Sequence, residues 1–136
     1  MYKGKYLRKF NISPKRYKEL CGFCEQYPEW KEEIKNYSFN KGISYSAEPK
    51  SKTNNKSNPT EEAALRLSES ISNCELIERV AKEADPEFWV AIIKSACYEV
   101  SVTYLISYDD LSLSKSAFYN RRRYFFYLLD KEKGKR

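Results

Sequence analysis

Residues 114–130, SKSAFYNRRRYFFYLLD, place three consecutive arginines, Arg121, Arg122 and Arg123, inside a strongly aromatic helical pattern. Adjacent guanidinium groups repel one another and lose rotamer freedom when ordered, so something must meet at least some of them. Ser114 is a good N-cap, and Leu113 before it stands where a staple residue would. At about 100° per residue, Ala117, Phe118, Phe125, Leu128 and Leu129 fall on one side of the helix, the side expected to pack on the domain. The opposite side carries Ser116, Tyr119, Asn120 and Arg123, flanked by Lys115 and Arg122. Such a helix suits a DNA major groove, with Asn120 facing adenine, Arg123 facing guanine and the flanking cations on phosphates. Arg121 projects near the apolar side and is expected to snorkel or to pair with Asp109 or Asp110. Phe126 and Tyr127 lie outside the apolar stripe. Either the core is wider than the stripe or these rings form a second contact surface, with another protomer of a dimer or with a neighbouring helix.

Working outward, residues 102–123, VTYLISYDDLSLSKSAFYNRRR, have the outline of a helix-turn-helix. A short helix is expected to end near Leu111, followed by a turn anchored by Leu113 and a recognition helix over about 114–130. The usual turn glycine is absent.

Farther upstream, Ser13-Pro14, Asn58-Pro59 and Asp85-Pro86 each join an N-cap residue to a proline at the first helical position. Glu61, three residues after Asn58, adds the outline of a capping box. Tyr17, Leu20, Cys21 and Cys24 recur at helical spacing, and a second stripe of Trp30, Ile34 and Tyr37 follows a break at Pro28. Ala63, Ala64, Leu67, Ile71, Cys74, Ile77 and Ala81 predict an amphipathic helix from about Pro59 to Ala84. Pro86 to about Ile106 reads as one central, mostly apolar helix, although the β-branched run from Val100 would end it early. No segment alternates as a strand does, so the expected class is all-α. The expected organisation is a basic arm with two short helices over 1–39, a flexible polar linker over 40–58 (NKGISYSAEPKSKTNNKSN), and a helical domain over 59–136.

Charge divides the 136-residue chain into three blocks. Residues 1–20 hold seven Lys/Arg against one acid, residues 21–111 ten against sixteen, and residues 112–136 eight against two. Concentrated positive ends suit phosphate backbones, and the arm MYKGKYLRKFNISPKRYK interleaves its cations with aromatic rings that could follow a backbone or dock on the domain. No apolar run nears the roughly 20 residues of a membrane span, and the first residues lack the apolar core of a signal peptide. A cytoplasmic, non-membrane protein is expected.

The chain has no histidine, which removes the usual catalytic triads and most zinc-hydrolase ligand sets. Cys21 and Cys24 have the spacing of half a zinc site, but Cys74 and Cys97 offer no matching pair, and buried packing is the favoured reading for all four. Glu32-Glu33, Glu61-Glu62 and Asp109-Asp110 are adjacent pairs that do not face one way on a helix. No glycine-rich phosphate loop is present. Neither an enzyme nor a cofactor is expected.

The order PTEEAALRLSESI, CELIERVAKEA, an apolar helix and LSLSKSAFYNRRRYFFYLL, with YPEWKEEI upstream, resembles the small RinA/ArpU-type regulators of phages and prophages of Gram-positive bacteria. The resemblance covers most of the chain after about Leu20. It implies a sequence-specific DNA-binding activator of late phage genes such as packaging and morphogenesis operons, acting on double-stranded DNA beside RNA polymerase. A symmetric operator would imply a homodimer. The competing reading is a small prophage inhibitor or adaptor that binds a host protein or nucleic-acid complex without sequence preference.

Overall fold

The structure, a computed structural model, describes residues 10–47 and 60–134. It is all-α: α1 (Pro14–Glu25), α2 (Tyr27–Ala47), α3 (Thr60–Ala84), α4 (Trp89–Cys97), α5 (Val102–Tyr108) and α6 (Lys115–Gly134), with no strand among the described residues. The expected arm contacts of residues 1–9 and the Asn58-Pro59 helix start lie outside the described residues.

Two compact units are present, one formed by described residues of Met1–Tyr27 and Leu76–Arg136, the other by Pro28–Glu75. Residues 40–47 continue α2 where a linker was expected from Asn40, and the rest of that expected linker, 48–58, lies outside the described residues. Pro28 starts this helix instead of kinking it. In the first turn its missing N–H costs nothing, and Glu29 beside it complements the helix dipole. In the second unit, Ser70 Oγ donates to Glu33 at 2.8 Å, which satisfies a buried hydroxyl.

The first unit is built around α6. Helices α1, α4 and α5 all pack on it, and α1 also packs on α4. The core of this unit holds the fully buried side chains Phe118, Phe125, Phe126 and Leu129 of α6 and Leu20 and Cys24 of α1, together with Ile77, Val80, Ile92 and Leu105. With three helices to cover it, α6 buries a wider arc than the sequence stripe. Phe126 is therefore core, set edge-on to Tyr17 at 5.2 Å and to Phe125 at 5.1 Å between ring centroids. It is not available as a dimer surface.

The caps carry much of the local logic. Ser13 Oγ accepts from the Arg16 amide, and Ser114 Oγ from the Ala117 amide, each at 3.1 Å, as their sequence positions predict. Asp85 behaves differently. Its Oδ1 accepts from the amides of Glu87 and Phe88, which holds residues 86–88 as a turn and delays α4 to Trp89.

The single helix expected over 86–106 is broken in two. Glu99 adopts φ 56°, the amides of Tyr98 and Val100 both return to the Lys94 carbonyl, and Ser101 then caps α5 through the Tyr104 amide. The same device ends α5. Asp110 has φ 54°, and the amides of Asp109 and Leu111 return to the Leu105 carbonyl. Asp110 thus takes the left-handed position that a turn glycine would hold. The short helix ends at Tyr108, before the expected Leu111, and Leu111, not Leu113, is the buried anchor of the turn.

Candidate nucleic-acid interface

Ser114 fixes where α6 begins, and Phe118 and Phe125 fix its rotation by filling the core. Once the helix is seated, Lys115, Ser116 and Asn120 are exposed, and Tyr119 and Arg122 are half-buried. Ser116, Asn120 and Tyr124 form a row at four-residue spacing, with Tyr124 40% exposed. The outward line therefore runs through Tyr124, a residue the wheel did not single out. Its exposure follows from the width of the buried arc, which shifts the free face by roughly one residue position.

Each of the three arginines is engaged by the fold. Arg121 Nη1 donates to Asp85 Oδ2 at 2.7 Å, and its guanidinium lies 5.7 Å from the Phe88 ring centroid. A structural role was expected for it, but the partner is Asp85, since Asp109 is taken by Lys94 at 2.6 Å. Arg122 stacks its guanidinium 5.4 Å from the Phe126 centroid and 6.0 Å from that of Tyr119. Planar, weakly hydrated guanidinium is well suited to such ring faces.

Arg123 departs furthest from its expected place. It is buried, at 9% exposure, and its Nη2 donates to Asn120 Oδ1. A side chain so placed does not project outward with Ser116 and Asn120, so the exposed, guanine-facing position expected for Arg123 is not the one it holds. The Asn120 carbonyl oxygen keeps a second lone pair, and its amide nitrogen keeps its donors. Arg123 can therefore hold the Asn120 amide in one orientation.

Charge and burial shape the surroundings. Burial alone would raise the Asp85 carboxyl, but Arg121 and the Phe88 and Glu87 amides outweigh it and hold the group below the usual carboxylate range. Burial pushes the Tyr17 phenol up to about 12, with the neighbouring Arg122 pulling the other way. A hydrogen bond to Cys97 and burial together raise the Cys24 thiol well above its ordinary value. Cys24, Cys74 and Cys97 are buried and Cys21 half-buried, all as free thiols. Among the described residues, no group of three or more cysteine or acidic side chains is placed to hold a metal.

At the far end of α6, Tyr127 stacks near Tyr124 and Phe10, with ring centroids 6.1 and 5.0 Å away, and Lys131 lies 5.4 Å from its centroid. Lys133 sits 3.8 Å from the Phe23 centroid. These two lysines are thus packed against rings, and they also suit the negative end of the helix dipole. No described helix is long and apolar enough to cross a membrane. Compared with family models, curated proteins and solved structures, the chain finds no match.

Proposed function

We propose that the chain is a sequence-specific DNA-binding transcription regulator of phage or prophage genes, with α6 as the helix that reads duplex DNA. The observation that carries this reading is the row Lys115, Ser116, Asn120 and Tyr124, exposed along the first half of a well-capped helix at a strongly basic end of the chain. Helix α5 precedes α6 and packs on it, as the first helix of a helix-turn-helix would, with the turn at Asp110 between them. In this reading Asn120 contacts a base edge, Arg123 orients the Asn120 amide, and Lys115 contacts phosphate. Tyr124 offers a hydroxyl and a ring to the groove wall. Activation of late or packaging genes rests on the resemblance to RinA/ArpU-type regulators.

Selection from a random duplex library at two salt concentrations tests the proposal. An enriched motif that loses one position in Asn120→Ala supports it. Uniform, salt-sensitive retention without a motif would reduce the basic ends to backbone attraction.

A further inference from the structure

The outer side of α4 bears a trough of about 530 Å³ walled by Trp89, Tyr98 and Tyr104. A second depression of about 220 Å³ adjoins it, and the two share Val90, Lys94 and Asp109. Val90, on the apolar helix α4, is 48% exposed, and Tyr104, on α5, is 50% exposed. The exposed Val90 and the flanking rings give an apolar floor on which the stem of a long side chain can lie.

The charges at its edge say what kind of occupant fits. Among the described residues, Asp109 and Lys94, paired at 2.6 Å, are the charged groups that line both depressions, and Glu87 and Asp110 add two further acids at the smaller one. Nearby, Lys82 lies 4.8 Å from the Trp89 centroid, so an ammonium is accommodated on this aromatic surface, while Glu78 accepts from the Tyr27 hydroxyl. The aromatic trough thus opens onto an adjoining depression edged by Glu87 and Asp110, an end that repels phosphate and attracts cationic side chains whose stems can lie on the rings.

We propose that this trough docks a basic, apolar-anchored segment of a protein partner, an amphipathic helix carrying Lys or Arg beside its anchors. The site is distinct from the outward row of α6, and the inference does not depend on the duplex reading. A regulator with both surfaces would hold nucleic acid on one and a protein on the other.

The test uses two synthetic 14-residue amphipathic helical peptides, one of Leu and Lys, the other identical but with Glu for Lys. The chain has two tryptophans, so Trp30→Phe leaves Trp89 as the sole fluorescent reporter in the trough. Calorimetry on the unmodified chain gives the same comparison should that variant lose helicity. The protein as a whole carries +6, so general attraction would favour the Glu peptide. The proposal expects the Lys peptide to bind at least tenfold more tightly and to lose that advantage in Val90→Lys. Equal affinities, tighter binding of the Glu peptide, no binding, or no effect of Val90→Lys would overturn it. Self-association abolished by Val90→Lys would also overturn it, by assigning the trough to a second copy. A change in Trp89 fluorescence on adding duplex oligonucleotide without peptide, surviving in Lys115→Ala, would overturn it by making the trough a nucleic-acid site.

Discussion

Arg121 and Asp85 form an ion pair at 2.7 Å in which the carboxylate is 5% exposed and the guanidinium 42%. The pair ties the middle of α6 to the turn that precedes α4, and Asp85 caps that turn through two amides as well. Removing Arg121 leaves a buried carboxylate with backbone donors alone, so Arg121→Ala should cost about 1–3 kcal/mol in urea unfolding. Asp85→Ala should cost at least as much, because the turn loses its cap too. Since the folded Asp85 carboxyl lies below its ordinary value, its contribution is complete above the unfolded value of about 4 and disappears as pH falls through the lower folded one. The stability gap between wild type and Asp85→Asn should therefore close only in strong acid, as pH titrations of the urea midpoint would reveal.

Arg123 and Asn120 should behave as one unit. Replacing the buried guanidinium with an apolar chain of similar length, Arg123→Met, is expected to leave stability within about 1 kcal/mol of wild type or to raise it, whereas Arg123→Ala opens a cavity and costs about 1–3 kcal/mol. In DNA binding, Asn120→Ala and Arg123→Met should relax the same position, and the double variant should be no worse than either alone. Additive losses at two different positions would instead restore a direct base contact to Arg123.

Glu99 and Asp110 hold left-handed backbone at φ 56° and 54°, a conformation that costs a side-chain-bearing residue about 1 kcal/mol. Glycine adopts it freely but gains more freedom when unfolded, so Glu99→Gly and Asp110→Gly should each stabilise the unit by about 0.5 kcal/mol. Thermal melts would register this as rises of about 2 °C.

Alkaline stability should depend on Tyr17. Its phenol is pushed up to about 12 against about 10 in the unfolded chain. The stabilisation is complete below pH 10 and is lost as pH rises through 12. Tyr17→Phe should flatten that part of the pH profile, measured by urea midpoint against the lysine titration common to both proteins.

How much of this was legible in the sequence follows from how local each determinant is. Ser13-Pro14 and Ser114 announce their helices because a cap needs only the next three residues. The all-α class follows from repeated three-four spacing. The break at Glu99 has no glycine to mark it, so its only trace is the β-branched Val100 and a following Ser101 able to cap. The burial of Arg123 and Phe126 was hidden for a different reason. A helical wheel assumes one buried side, and α6 is packed by α1, α4 and α5 together. Asp85-Pro86 announces a helix start in sequence, whereas the Asp85 carboxylate caps the 86–88 turn before α4, and its pairing with Arg121, 36 residues away, is a tertiary fact no local pattern contains.

The most direct measurement is selection of bound duplexes from a random library, carried out in parallel on wild type, Asn120→Ala and Lys115→Ala. The account predicts an enriched motif for wild type and loss of preference at one position in Asn120→Ala. In Lys115→Ala the motif should be unchanged, with weaker binding to every sequence and a salt slope reduced by about 1. A motif indifferent to Asn120→Ala, or no motif at all, would contradict the assignment of α6 as the reading helix.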